Sequence, residues 1–436
     1  MELKNGVRDM VDQDMTRRGF IRTFAGGTLG GALLYAFPED ARAKYIVSND
    51  EVVPPDDEHF WDVVRDQFPL KKAPVFLNNG TIGPSPYVVI DAVKAEMEEV
   101  ERNARYGGWE TVRPKVARFI NARDDEISLT HNVTEGINVV ACGLPLKRGD
   151  EVILTNHEHA GNAIPWLARA RRDGIAVKPV QLAPTAAETL NRIDALVTGR
   201  TRVIAVPHVT CTIGQVLPAK EIAKLGHDKG LWVFFDGAHT PGMMPLDVKD
   251  IGCDFFATCG HKWMMGPKGT GFLYVRKEMQ EILEPCWAGA LSDAGWDLQK
   301  GTLEYRKDGH RYDFGTQNSA LYVGLGAAID FLYHMGMENI ARRDRALAGH
   351  LRDELKKLGD RIEILTPEEE DGFAAVLGFR LKAMAYDKLQ AFLIEKHGII
   401  TRMVPENGVN CNRISTHIYN NHDEVNRVVE AIRAVA

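Results

Sequence analysis

The sequence predicts an α/β protein: a large domain built on a mixed, mostly parallel sheet between helices, followed by a small C-terminal α+β domain. Three observations predict it. Apolar runs of strand length alternate with helical periodicity between about residues 126 and 275. A long helical stretch begins near Ser319, and beyond it the chain changes to short strand-like runs between helices. At 436 residues, 44% apolar and 26% charged, the chain is long enough for two or three domains and has an ordinary globular composition.

The elements follow in order. "TRRGFIR" (Thr16 to Arg22) is a twin-arginine pattern, followed by a glycine-rich apolar run and by "ARA" at Ala41 to Ala43, which fits a small-x-small cleavage site. Residues 1–43 are therefore expected to be a twin-arginine export signal, which places the protein in the periplasm after folding in the cytoplasm. The apolar run is too short to span a membrane, so no stable membrane insertion is expected. Residues 44–77 read as an N-terminal extension whose first part, to Asp57 in "VVPPDDE", is an extended lead-in. The large domain is expected over 78–335 and the small domain over 336–436.

Within the large domain the expected strands are 126–130, 151–155, 175–180, 202–209, 231–236, 254–259 and 271–275, with helices starting near Thr134 and spanning about 219–229. In the small domain, "FAAVLGFRL", "IITRM" and "NRISTHI" read as strands, with helices over about 387–397 and from about Asp423. The six cysteines show no regular spacing and no CxxC pair, so no disulfide framework is implied. A net charge of −7 without a long basic run argues against nucleic acid as a partner.

In open α/β sheets ligands lie beyond the carboxyl ends of the strands. Asp236 ends the apolar strand "LWVFFD", where a carboxylate is costly unless a cation or strong donor meets it. Lys262 follows the end of the next strand, in "TCGHK", so the two side chains can converge from neighbouring strands. A buried carboxylate beside an amine suits a pyridoxal-phosphate site, where the acid holds the ring nitrogen's proton and the amine forms an imine. Each residue also has a plainer reading. A strand-end Asp often only caps a turn, and a lysine in a glycine-rich turn, such as Lys268, is usually solvated. The segment "LTHNVTEGIN" offers a second feature, a helix start at Val133 and Thr134 whose free N–H groups suit an anion. A metal site on His157 and His159 would lack an evident third ligand, so no metal is expected.

The stretch "FFDGAHTPGMMPLDVKDIGCDFFATCGHKWMMGPKGTGFLYV" resembles the signature of fold-type I, class V pyridoxal-phosphate enzymes, the aminotransferase class V family of cysteine desulfurases, kynureninases and isopenicillin N epimerases. The resemblance extends from about Asn78 to the C-terminus. "DGAH", where desulfurases tend to have glutamine, together with "PGMMPLD" and "HKWMMGPKG", points toward the isopenicillin N epimerase-like branch.

This resemblance implies pyridoxal 5'-phosphate as cofactor, with Lys262 forming the imine and Asp236 pairing with the ring nitrogen. It implies that His239 faces the phenolic oxygen and that His159 stacks on the ring. Val133, Thr134 and His261 would hold the phosphate, and Cys259 replaces a serine common in desulfurases. Gly315 and Thr316 match a pair that reaches the phosphate of the partner subunit, which implies a homodimer with shared active sites. Arg413 matches the arginine that grips the substrate carboxylate. Asn79, Gly80 and Trp109 occupy positions that line the substrate pocket in relatives.

The implied substrate is a small amino acid or an amino-acid residue of a peptide, attacked at its α-carbon with Lys262 as general base. Lys262, His159 and Asp236 are the expected catalytic residues. The main expectation is an epimerase or aminotransferase; the alternative is a C–S or β-lyase of the desulfurase group, or modification of a siderophore-type peptide residue in the periplasm. Cys411 stands two residues before Arg413, too close to act as a mobile sulfur carrier, and Cys211 falls where desulfurases often have asparagine.

Overall fold

A computed structural model describes residues 52–71, 73–104 and 107–436. The export signal expected over 1–43 lies outside the described residues, as do Arg105 and Tyr106 of "RYGGWE". The described chain opens with α1 (Glu58–Arg65) and β1 (Val75–Phe76). Helices α2 (Tyr87–Asn103) and α3 (Val112–Phe119) then lead into the central sheet. There, strands and helices alternate: β2 (Ile127–Thr130), α4 (Val133–Gly143), β3 (Glu151–Thr155), α5 (Ala160–Asp173), β4 (Ala176–Val180), α6 (Ala186–Leu196), β5 (Thr201–Pro207), α7 (Ala219–Asp228), β6 (Trp232–Asp236), β7 (Phe255–Cys259) and β8 (Gly271–Val275).

The seven strands lie in the order β2-β8-β7-β6-β5-β3-β4, and β8 alone runs antiparallel to its neighbours. This is the mixed, mostly parallel sheet that the apolar runs predict. Its central strands are apolar on both faces because both faces are covered. Phe234 and Phe255 point into one core and Phe235, Phe256 and Phe272 into the other, as the two-residue side-chain period of a strand requires. Each such ring, fully buried, contributes about 1.5–3 kcal/mol of transfer free energy.

A hairpin of β9 (Asp293–Asp297) and β10 (Thr302–Tyr305) follows. The helical stretch from Ser319 is two helices, α8 (Ser319–Met335) and α9 (Met337–Lys356), which meet at an angle of 79°. Gly336 makes the break with φ of +77°, in the region where glycine pays no steric penalty. Among the described residues no single helix is long and apolar enough to cross a membrane. The C-terminal part contributes β11 (Ile362–Ile364), β12 (Val376–Leu381), α10 (Tyr386–His397), β13 (Ile399–Ile400), β14 (Arg402–Val404), β15 (Cys411–Ser415) and α11 (His422–Arg433). Four of these strands form an antiparallel sheet in the order β11-β12-β15-β14.

The segment expected as an N-terminal extension is integral to the fold. The Asp57 side chain caps α1 through the Phe60 N–H, so the lead-in ends in a helix. Phe60 and Trp61 enter the large core, while β1 pairs in parallel with β13 and buries Val75 in the C-terminal core. The buried Arg343 of α9 locks this arrangement. It donates to the Pro55 carbonyl (2.7 Å), to Glu58 (2.6 and 3.1 Å) and to the Asn420 carbonyl (2.9 Å), and lies over the Trp61 ring. Replacing Arg343 by Met strips four acceptors of their donor, so urea unfolding should register a loss of about 2–3 kcal/mol; an unchanged midpoint would show that the N-terminal segment is held by its apolar residues alone.

Candidate active site

Strands β6 and β7 are parallel neighbours with Asp236 opposite Ala257, so both chains leave the sheet at the same edge. Asp236 is buried, and one of its oxygens accepts the Ala238 N–H at 2.9 Å. Burial pushes its carboxyl pKa up, and the Ala238 N–H and the charge of Lys262 only partly oppose this. No basic side chain among the described residues forms a salt bridge with it, and Lys262 acts on it only from a distance. Lys262 is buried three residues past the end of β7, with its Nζ 3.2 Å from Nε2 of His239. Burial and the nearby positive charges hold His239 well below the ordinary histidine range, so its ring is neutral.

The lysine loop is wrapped by the "NNGTIGPSP" segment. The Gly83 N–H donates to the His261 carbonyl at 2.7 Å, and Ser85 Oγ donates to the Gly266 carbonyl at 3.1 Å. A β-carbon on Gly83 would lie 2.1 Å from the Lys262 carbonyl oxygen, so only glycine permits this approach. Lys268, expected to be a solvated loop residue, instead donates from Nζ to the Gly83 carbonyl at 2.8 Å and closes the wrap from the other side.

At the neighbouring strand end, α4 begins with Asn132 as its cap, whose side chain accepts the Glu135 N–H. The N–H groups of Val133 and Thr134 find no acceptor among the described residues and remain open to an anion. A β-carbon on Gly161 would lie 2.8 Å from Thr134 Oγ1 and 3.0 Å from His159 Nδ1, which brings α4, α5 and His159 to one place. His159 Nδ1 accepts the Gly161 N–H at 3.0 Å, so the neutral ring carries its proton on Nε2. Although open to solvent on one side, this ring is crowded enough by the pocket wall, with Lys262 adding its charge, to be pushed down to about 4. His261 Nδ1 is buried with no hydrogen-bond partner among the described residues. His157 is a structural contact, its Nδ1 lying 2.6 Å from Thr212 Oγ1. No group of metal-ligating side chains occurs among the described residues.

The third wall comes from β15. Arg413 is fully buried and donates to the Cys211 carbonyl (2.7 Å), Asn78 Oδ1 (3.1 Å) and Thr81 Oγ1 (2.9 Å), and its Nε has no partner among the described residues. Burial, reinforced by the charge of Arg402, pushes its pKa down to about 9, while Arg402 is itself paired with Glu406. A carboxylate is the group Arg413 lacks. Gly80 lies between the two halves of the pocket: a β-carbon there would be 3.0 Å from His239 and 3.1 Å from Arg413. Asn79 is buried beside it, accepting from Tyr419 OH at 2.9 Å, with its Nδ2 unpartnered among the described residues.

The sequence profile of the Aminotransferase class-V family matches residues 88–428. The chain belongs to the aminotransferase class-V family. It is 32% identical over 404 residues to a probable cysteine desulfurase of Methanothermobacter thermautotrophicus, covering 86% of this chain and 97% of that protein. Among solved structures it resembles the apo cysteine desulfurase of Thermococcus onnurineus, with a TM-score of 0.78 and 26% identity, covering 88% of this chain and 99% of that one. It also resembles a cystine C–S lyase in complex with its product cysteine persulfide, with a TM-score of 0.78 and 25% identity, covering 85% of this chain and all of the other.

The cofactor of this class-V enzyme is pyridoxal phosphate, and the pocket fits it. The unpaired Asp236 carboxylate suits the ring nitrogen, the open N–H groups of α4 and the orphaned His261 Nδ1 suit the phosphate, and Lys262 suits the aldehyde. Cys259 points to the Ala238 carbonyl (4.0 Å), and burial pushes its thiol up to about 11. Trp109 lies beside Tyr322 of α8, 6.5 Å between centroids, and packs against the large core cluster. Gly315 stands at φ +62°, and Thr316 after it is exposed.

One functional residue escaped the sequence reading. Glu158 is fully buried between the two histidines of "NHEHAGN" and accepts from Thr155 N (2.9 Å), Thr155 Oγ1 (2.8 Å) and Asn162 Nδ2 (2.8 Å). Burial nevertheless pushes its acid up to about 8. It ties the end of β3 to the start of α5 next to His159; in the sequence only its place between two histidines just past a strand end marked it.

Two substitutions test this geometry. Gly83→Ala drives a methyl into the Lys262 carbonyl and should cost about 1–3 kcal/mol by thermal unfolding, with loss of cofactor retention on gel filtration. Arg413→Lys keeps the charge but loses the planar fork, so KM for an amino-acid substrate should rise about 10- to 100-fold with a smaller change in kcat.

Proposed function

We propose that the chain is a pyridoxal-phosphate-dependent C–S lyase that acts at the α-carbon of a small cysteine-type amino acid and expels the β-sulfur by elimination, without passing it to a thiol of its own. The observation that carries this reading is the state of the two thiols nearest Arg413. Cys211 is buried, and burial pushes its pKa up. Cys411 is buried in β15 with its Sγ toward the Thr212 carbonyl at 3.9 Å, and burial pushes it up to about 12. Neither is a mobile thiolate, which a sulfur-accepting cysteine has to be.

The names of the relatives support the C–S lyase alternative over the epimerase or aminotransferase expectation. His239 in place of glutamine remains the residue that favours an epimerase-like branch. The bound cofactor supplies an electron sink for negative charge at the substrate's α-carbon. Arg413 anchors the substrate carboxylate and so fixes which bond at the α-carbon faces Lys262. Lys262 would take the α-proton as general base. His159 would pack on the bound ring, and Asp236 would hold the proton of its nitrogen. With cysteine and water as reactants, the balanced products are pyruvate, ammonia and hydrogen sulfide.

A homodimer with shared sites belongs to this proposal, supported by the exposure of Thr316, which leaves it free to reach a partner subunit. So does a periplasmic location, supported by the twin-arginine pattern and testable by the mass of the exported chain. The reaction is tested by incubating the enzyme with L-cysteine, L-cystine and sulfur-free amino acids in deuterated water. Pyruvate with sulfide or persulfide is expected from the sulfur substrates, with no persulfide on the protein by mass spectrometry. Accumulation of a D-amino acid, or of a keto acid that retains its β-substituent, would assign epimerisation or transamination instead.

A further inference from the structure

A chain of buried contacts runs from the domain junction to the active lysine. Trp263, the residue after Lys262, is fully buried, and its indole Nε1 lies 3.2 Å from His239 Nδ1. An indole N–H only donates, so Nδ1 has to accept. A neutral imidazole carries one ring proton, which is then on Nε2, the nitrogen 3.2 Å from Lys262 Nζ. His239 therefore offers the pocket an N–H rather than a lone pair. Such a donor is satisfied by the lone pair of an amine or by an oxygen carrying negative charge, and it opposes an ammonium group.

The main chain of Trp263 is held separately. His417, fully buried on the segment after β15, places Nε2 3.1 Å from the Trp263 carbonyl oxygen and Nδ1 2.9 Å from Asp344 Oδ2 of α9. A carbonyl only accepts, so Nε2 of His417 carries a proton. The His417 ring also meets the Trp263 ring edge-on, with centroids 5.2 Å apart. On the opposite side Gly242, at φ +91°, lets the chain pass where a β-carbon would lie 2.3 Å from the Trp263 carbonyl oxygen.

We propose that Trp263 is a positioning residue for Lys262: its indole N–H fixes His239 as the tautomer protonated at Nε2, while the buried Asp344–His417 pair holds the Trp263 main chain so that this donor keeps its aim. The inference rests on the reading that Lys262 bears the cofactor. It goes beyond that reading by assigning the direction of the hydrogen bond that His239 presents, and by naming the residue that sets it.

Neutron diffraction from crystals of the perdeuterated, full-length holoenzyme tests the tautomer directly. Deuterium on Nε2 of His239 and on Nε1 of Trp263, with none on Nδ1 of His239, is expected; deuterium on Nδ1 overturns the proposal without any variant having to fold. Trp263→Phe then tests the consequence. It removes the donor and keeps a ring, so kcat for α-proton exchange should fall about 10- to 100-fold, with KM changed less than about twofold because Arg413 is intact. The pH titration of the cofactor's visible band should shift as well. A variant that melts earlier but keeps the kcat and the titration of the parent would give Trp263 a packing role only and overturn the proposal. Failure of the underlying reading is distinguishable: the visible band of the parent enzyme would then survive Lys262→Ala.

Discussion

The constraint on which the structure depends is a carboxylate buried at the end of an apolar strand. Asp236 closes β6 in a wholly buried setting, where burial raises its pKa and no basic side chain among the described residues pairs with it. A core does not tolerate such a group without a reason, since an uncompensated buried charge costs several kcal/mol. The compensation is placed one strand away. Because β6 and β7 are parallel and in register, the loop after β7 brings Lys262 to the same edge. Asp236 would take the ring nitrogen of bound pyridoxal phosphate as its remaining partner. The order of the sheet thus fixes the chemistry before any loop detail does.

What the loops add is rigidity. Gly83 presses against the Lys262 carbonyl, Lys268 donates back to Gly83, and the C-terminal unit contributes both Arg413 and the His417 contact to Trp263. The substrate-anchoring arginine and the lysine therefore belong to different layers held in one frame. Their separation is set by buried contacts rather than by flexible side chains. That arrangement favours one α-carbon orientation, which is how a general pyridoxal-phosphate pocket becomes selective among outcomes. On the proposed reading, the buried thiols Cys211 and Cys411 argue against one of those outcomes, sulfur transfer to the protein.

Much of this was legible in the residues. The runs "EVILT" and "GFLYV" are strands over the residues expected, because a run buried on both faces leaves no polar alternation to mislead the reading. Asp236, Lys262, His239 and His159 converge because strand ends in a parallel sheet share an edge, and Arg413 reaches them from β15 of the separate antiparallel sheet. Other features were not legible. The helical stretch from Ser319 gave no sign of its bend, since one glycine within a periodic run reads as tolerated until its positive φ is known. The helix over Glu58–Arg65 hid behind two prolines and a run of acids, although Asp57 caps it. Trp263 and His417 are 154 residues apart, and no local pattern signals a contact that only the packing of the C-terminal segment against the lysine loop creates.

The central claim, that Lys262 and Asp236 hold one cofactor between them, is tested most directly by reducing the purified holoenzyme with borohydride and mapping the modified peptide by mass spectrometry. The account predicts a phosphopyridoxyl group on Lys262, and none when Lys262 is replaced. A label on Lys268 or another lysine, or no label on a protein that retains its yellow colour, would contradict it.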